Sequence, residues 1–319
     1  MKISGFTFVK NATKLFFPIK ESIESILPIV DEFIVLVSEG DEDDFTKEEI
    51  GKINSDKIKL IPSRWDKENF RQNTVYANET DKAMKHCSGD WLFYLQSDEI
   101  VHEKYLDQIS RACAYYLDAR EVEGFLFEYK HFWGDFNHYF QSHTWYPREI
   151  RIIRNRGDIH SWRDAQSFRI FRQFNGTSED YLRKAGTRKL NVARINCEIY
   201  HYGWVRPPWV MTTKTKSVDP HLGAQLKDGY FDYGPLNKLE VYSETHPNVL
   251  KPWIEKIFDW GEELQISGKR NKNRPPYKHE RLKYRLLSLI ENTLLGGNQI
   301  GGFKNYNIIR DFAKDMDQT

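Results

Sequence analysis

Asp98 and Glu99 stand where an apolar run stops. The stretch WLFYLQSDEIVHEKYL, residues 91–106, begins with a segment that reads as a buried strand. Gln96, Ser97, Asp98 and Glu99 follow at its C-terminal end, and a helical pattern begins near Glu103. One or two carboxylates just beyond a strand are the hard oxygen ligands that Mg²⁺ or Mn²⁺ takes. Such a cation, cationic side chains or backbone N–H groups are what a bound phosphate needs. The same two acids also suit the first turn of the next helix, where negative charge is favoured.

Several elements must position those acids. Residues 3–9, 32–39, 58–63 and 91–95 are continuous apolar runs, as expected for strands covered on both faces. Between the first two, Ile19, Ile23, Ile26, Leu27 and Val30 recur at helical spacing behind Pro18, which suits a first turn. Thr46 with Glu49 three residues on has the pattern of a capping box. Residues 71–87 predict a helix that stops at Gly89, and Leu106, Ile109, Cys113 and Leu117 line one face of another. This alternation predicts an α/β fold: a doubly wound, mostly parallel sheet with helices on both faces. Ligands of such sheets sit beyond the C-terminal ends of the strands. Those ends are Val9-Lys10-Asn11, Ser38-Glu39-Gly40, Pro62-Ser63-Arg64 and Gln96-Ser97-Asp98. No G-x-G-x-x-G follows the first strand and no G-x-x-x-x-G-K-[ST] occurs, which disfavours ordinary Rossmann dehydrogenases and P-loop enzymes. GGNQIGG, residues 296–302, has no strand before it and is set aside as a phosphate loop.

Past residue 120 the pattern changes. Residues 124–132, 149–155, 167–172 and 194–203 read as strands without regular helices between them. From 206 onward the chain is Pro-rich and helical in pieces, and residues 280–295 form an amphipathic helix pattern.

The bulk numbers narrow the classes. The chain has 319 residues, 39% hydrophobic and 29% charged, a soluble globular composition. Its net charge of +1 argues against a dedicated nucleic-acid binder. Aromatic residues make 14%, enough for some rings to serve a binding surface. Cys87, Cys113 and Cys197 are odd in number, far apart and form no C-x-x-C, which reads as reduced thiols in a cytoplasmic setting. The opening MKISGFTFVKN reads as too short and polar for a signal peptide, and no run of eighteen apolar residues is present.

Several ordered blocks together resemble the family 2 glycosyltransferases, bacterial-type surface-glycan subgroup, with the GT-A fold. ISGFTFVKNATKLFFPIKESIESILPIVDEFIVLVSEGDEDD resembles that family's donor-binding opening. HCSGDWLFYLQSDEIVHE resembles the strand leading into its D-x-D motif, with Gln96 in place of the first acid. WYPREIRIIRN, SWRDAQSFR, YHYGWVR and ETHPNVLKPWIEK resemble later blocks. The resemblance implies a catalytic domain over 1–205, with a donor half 1–100 and an acceptor half 101–205, and a mainly helical extension over 206–319 packed on it. It implies a metal-dependent, inverting transfer of a sugar from a UDP- or GDP-linked donor to a glycan or lipid-linked acceptor, in surface polysaccharide synthesis. Asp98 and His201 would hold Mn²⁺ or Mg²⁺. Thr7, Val9, Asn11, Glu39, Arg71, Asp81, Ser97 and Asp98 would contact the donor. Asp164 would take the acceptor's proton, with Asp158 and Glu149 as fallbacks.

Residues 129–146 hold eight aromatics and three histidines. Flat C–H faces of sugars pack on aromatic rings, so Trp133, Tyr139 and Trp145 are candidates for an acceptor site. A zinc site from His131, His138 and His143 is the alternative, without cysteine and with spacings of 7 and 5. Residues 269–285 are strongly basic, and Leu282, Leu286, Leu289 and Ile290 share one face of the helix that follows. Such a pair fits the inner face of an anionic membrane, or a helix docked on its own domain. The competing functional classes are a nucleotidyltransferase or hydrolase on a similar sheet, and a nucleotide-sugar-binding protein without turnover.

Overall fold

The computed structural model describes residues 1–218 and 229–317. The four early apolar runs are β1 (Ile3–Val9), β2 (Glu32–Ser38), β3 (Ile58–Ser63) and β4 (Trp91–Tyr94). All four are parallel, in the order β4-β1-β2-β3. β2 is buried along its whole length because helices cover both its faces. Phe33, Val35 and Val37 pack with Ile19, Ile23 and Ile26 of α1 (Ile19–Ile26) and Ile50 of α2 (Thr46–Gly51). Ile34 and Leu36 pack on the other side with Ala83 and Met84 of α3 (Thr74–Met84).

Two local expectations change. The helical spacing around Pro18 predicts one helix to residue 30, but α1 ends at Ile26 and Leu27–Ile29 form a tighter 3₁₀ turn. Pro28 has no N–H to continue the ladder. The expected capping box at Thr46 does not form. Its hydroxyl instead accepts from the Ala12 N–H at 2.8 Å and donates to Asp44 at 2.7 Å, tying α2 to the end of β1.

The second half extends the sheet. β5 (Glu99–Val101) follows β4 closely and leads to α4 (Leu106–Tyr115). β6 (Gly124–Trp133), β7 (His138–Phe140) and β8 (Arg148–Arg154) follow. β8 inserts antiparallel between β4 and β6. β9 (Ile159–Trp162), β10 (Ser167–Phe171) and β11 (Thr187–Arg188) form a separate three-stranded antiparallel sheet. α5 (Ser178–Leu182) lies between β10 and β11. The long β12 (Leu190–Trp204) pairs parallel with β6 and antiparallel with β5, and α6 (Pro208–Val218) follows it. β13 (Glu240–Val241) and β14 (Tyr306–Asp311) complete an eleven-stranded main sheet. Only β5, β7 and β8 run against its common direction, so the fold is mixed α/β with a large, mostly parallel sheet.

The region after 205 is less uniform than expected. Short helices and 3₁₀ turns pack on a third, aromatic-rich core that includes Trp133, Tyr202, Phe231, Trp253 and Trp260. The end of the chain returns to the first half: β14 pairs with β12, and Phe312 enters the main core. A boundary at 205/206 therefore marks where β12 ends, and residues 306–317 belong with the sheet.

Candidate functional site

Asp98 lies in the turn between β4 and β5, 6% exposed. Three cationic or basic groups surround it: Lys214 Nζ at 3.5 Å, Arg206 Nη2 at 3.8 Å and His201 Nε2 at 3.8 Å. Burial alone would raise the Asp98 carboxyl, but the cationic neighbours, Lys214 first and then Arg206, outweigh it and hold it below the usual range. Burial, with repulsion from Arg206, pulls the Lys214 ammonium down to about 7 against the attraction of Asp98. Arg206 is fully buried, and its Nε and Nη2 have no hydrogen-bond partner among the described residues. The two Arg206 nitrogens without a partner among the described residues suit an anion beside Asp98.

Glu99, paired with Asp98 in the sequence reading, belongs elsewhere. It is fully buried and held by both arms of Arg151 at 2.7 Å, with the Tyr129 hydroxyl donating at 2.8 Å. It anchors the turn that carries Asp98.

The orientation of His201 follows from a chain of hydrogen bonds. His131, fully buried, has Nε2 2.8 Å from the Tyr146 carbonyl, which can only accept. His131 Nε2 therefore carries the proton, and its Nδ1 accepts from His201 Nδ1 at 2.9 Å. Burial pushes both imidazoles down. With Nδ1 donating to His131, a neutral His201 would turn its Nε2 lone pair toward Asp98, and no hydrogen bond crosses their 3.8 Å gap.

Gly203 keeps that gap open. A Cβ there would meet His201 Nε2 at 2.5 Å and Asp98 Oδ2 at 2.8 Å. A small cradle beside one imidazole lone pair and one carboxylate fits a divalent cation in chemistry. No group of three such ligands occurs among the described residues, so a cation here would have Asp98 and His201 as its protein ligands and would need a bound phosphate or water for the rest. The zinc alternative does not form. His131 pairs with His201, His138 with Asp135 and His143 with Glu291.

Asp164 sits at the tip of the β9–β10 hairpin, where Trp162 pairs with Ser167 and residues 163–166 make the turn. Arg163 takes a positive φ of 70° in that turn. Gln96 Nε2 donates to the Ala165 carbonyl at 3.0 Å and Arg151 Nη1 to the Gln166 carbonyl at 2.9 Å, so the end of β4 and β8 both hold the loop. Burial raises the Asp164 carboxyl against the pull of the Gln166 N–H and of Arg151. Asp164 lines two cavities. One, of about 360 Å³, also takes in Val9, Gln96, Ser97, Asp98, His201 and Lys214. The other, of about 430 Å³, extends to Gly301, Gly302 and Phe303.

Other expected residues fall elsewhere. Val9, Ser97, Asp98, Asp164, His201 and Trp145 share the first cavity. Thr7 is buried within the sheet, its hydroxyl 3.4 Å from the Phe8 carbonyl, because side chains alternate along β1. Asn11 is a turn residue at φ 56° whose side chain accepts from the Asp41 N–H at 2.9 Å. Glu39 is exposed and 4.0 Å from Arg64, and Arg71 is exposed. Asp81 is buried and accepts from Ser161 N–H at 2.8 Å, with His160 Nδ1 at 2.9 Å and the Tyr181 hydroxyl at 3.1 Å, so it anchors the hairpin rather than a ligand. Asp158 pairs with Arg156 at the start of the hairpin. Glu149 is buried beneath the loop, bonded to Gln166 Nε2 at 2.9 Å, and burial raises it to about 7. Trp133 and Tyr139 line a different cavity against the C-terminal region. Trp133 reaches the site through Trp204, stacked on it at 4.8 Å, and through Trp145, edge-on at 6.0 Å.

Arg206 and Lys214 carry no signal in the sequence, and His131 reads there only as part of the zinc alternative. Arg206 and Lys214 lie five and thirteen residues after His201, and Pro207-Pro208 between them marks a helix start that turns Lys214 back to Asp98. An aromatic group of Phe8, Trp65 and Tyr76 at the other end of the cavity was missed too, with Trp65 and Tyr76 centroids 5.3 Å apart.

No family model matches this chain, and no curated protein does. Partial likenesses exist among solved structures. Residues 1–349 of Staphylococcus aureus TarS are 21% identical over 41% of this chain and 36% of that one, at TM-score 0.28. A longer S. aureus TarS structure is 16% identical over 68% of this chain and 39% of that one, at TM-score 0.37. Mycobacterium tuberculosis glucosyl-3-phosphoglycerate synthase, in complex with Mn²⁺, UDP and phosphoglyceric acid, is 19% identical over 40% and 42%, at TM-score 0.29. The matched region spans roughly two fifths of each of those chains. Overlays this partial assign neither family nor activity.

Proposed function

We propose that the protein is a glycosyltransferase of the GT-A type, which moves a sugar from a nucleoside diphosphate to an acceptor hydroxyl with inversion. The observation that carries this reading is one cavity that joins a buried cationic cluster at Asp98 to a raised carboxyl at Asp164. Arg206 and Lys214 bind and orient the diphosphate. Asp98 and His201 would hold Mn²⁺ or Mg²⁺, which when bound neutralises charge on the leaving diphosphate. Phe8, Trp65 and Tyr76 offer aromatic faces to the nucleobase. Asp164 accepts the acceptor's proton as that oxygen bonds the anomeric carbon and the C–O bond to the diphosphate breaks. A carboxyl raised by burial suits this work, because it is a better base than an exposed one. Trp145, which borders both cavities, covers a sugar face. Thr7, Asn11, Glu39, Arg71 and Asp81, the other donor contacts expected from the resemblance, do not line this cavity.

Calorimetric titration of UDP and GDP with and without Mn²⁺ tests the donor, and Asp164→Asn tests the base. Asp164→Asn is expected to lower turnover by about 10²–10⁴ with donor affinity nearly intact. Failure of every nucleoside diphosphate to bind, or full turnover in Asp164→Asn, overturns the reading.

A further inference from the structure

The helix Leu282–Leu294 is mounted with its polar side inward. Its one fully buried residue is Glu291, 2% exposed, with an oxygen 2.7 Å from His143 Nδ1 and accepting from the Ile300 N–H at 2.7 Å. Ser288 on the same side accepts from the His143 N–H at 2.8 Å, and Asn292 donates to the Gln141 carbonyl at 2.9 Å. Leu287 is half-buried, but the other four leucines point outward. Leu282 is 69% exposed, Leu286 52%, Leu289 59% and Leu294 75%. Ile290, Leu295, Ile300 and Phe303 extend the apolar surface. An ordinary surface helix buries its apolar stripe against its own core; this one presents it. A contiguous apolar patch of this kind marks a surface built to be covered.

Charge identifies the cover. Residues 269–285 hold eight Lys or Arg and one acid, Glu280. Arg274 is committed to Glu280 and Asp232, while Lys272, Lys278, Arg281, Lys283 and Arg285 are exposed. Lys283 and Arg285 flank the leucine stripe within the helix. Apolar side chains bordered by basic residues match the acyl boundary and headgroups of an anionic bilayer. A second copy would set like charge against like.

We infer that this helix and the basic segment before it dock the protein on an anionic lipid surface. The cavity at Asp164 opens along Gly301, Gly302 and Phe303, in the segment that continues this face. On the transferase reading proposed above, on which this consequence rests, the acceptor is held by a lipid and reaches Asp164 from the membrane side. Docking itself does not depend on that reading.

The test is flotation of the full chain with phosphatidylcholine vesicles, with and without phosphatidylglycerol, and no nucleotide added. Binding is expected only to the phosphatidylglycerol vesicles and to weaken with added salt. Leu286→Asp/Leu294→Asp and, separately, Lys283→Glu/Arg285→Glu are each expected to lower the bound fraction by about tenfold or more. Their circular dichroism and nucleotide affinity are expected to match the parent. Absence of binding to anionic vesicles, binding that neither double variant weakens, or a dimer in solution that the leucine variant dissolves overturns the proposal. Nucleotide binding without vesicle binding would sink docking alone; vesicle binding without nucleotide binding would sink the transferase reading alone.

Discussion

At the scale of single residues, the site depends on what is small. Gly203 has no side chain where a Cβ would press on both His201 and Asp98. Gly203→Ala is expected to keep the fold and to weaken nucleoside diphosphate binding in Mn²⁺ by about tenfold, ~1.4 kcal/mol. Unchanged affinity by calorimetry would show that the cradle is not used. Glu149 makes a pH prediction. Burial raises its carboxyl from 4.5 to about 7. A carboxyl that holds its proton more tightly when folded stabilises the fold fully below its unfolded pKa and loses this as pH rises through the folded one. The stability of the parent should therefore fall relative to Glu149→Gln between about pH 4.5 and pH 7, read as the difference in Tm across that window. A constant difference would mean that the buried carboxyl does not titrate there.

At the scale of elements, the proposed function asks the β9–β10 hairpin to hold Asp164 still. Asp81 on α3 holds its base through Ser161 and His160, and Gln96 holds its tip through Ala165. Asp81→Ala is expected to lower turnover by up to about a hundredfold while leaving nucleotide affinity close to the parent, since small displacements of a base are costly. Steady-state kinetics beside a nucleotide titration separates this from direct contact, which would cost affinity first. The Glu99–Arg151 pair beneath the turn is fully buried on both sides. Removing one partner strands the other charge, so Arg151→Met should destabilise by about 3–5 kcal/mol in urea unfolding. A loss under about 1 kcal/mol would mean that water reaches the pair.

At the scale of the whole molecule, the two ends of the chain share a core. Phe312 packs at 5.9 Å from Tyr115 and 6.1 Å from Tyr116, and Tyr116 bonds Asp315 at 2.7 Å. Phe312→Ala is expected to cost about 3–5 kcal/mol despite lying near the end of the sequence. A small effect would mean that the last helix is dispensable to the sheet.

The first four strands, their parallel direction and the placing of Asp98 and Ser97 at a strand end were legible in the sequence. Continuous apolar runs alternating with helical spacing admit few other arrangements, and the crevice position follows from topology. The identity of the charges around Asp98 was not legible. Arg206 and Lys214 are ordinary basic residues in the chain and become a cationic cluster only because β12 and the helix after it fold back on the β4–β5 turn. Asp81 reads as a helix residue near the crevice and is turned to the hairpin by a strand about eighty residues away. The leucine stripe at 282–294 reads as amphipathic either way up, since periodicity gives a helix two faces without saying which is inside. That choice, like the burial that tunes Asp164 and Glu149, was made by contacts between distant segments, where free energy depends on neighbours that local sequence does not name.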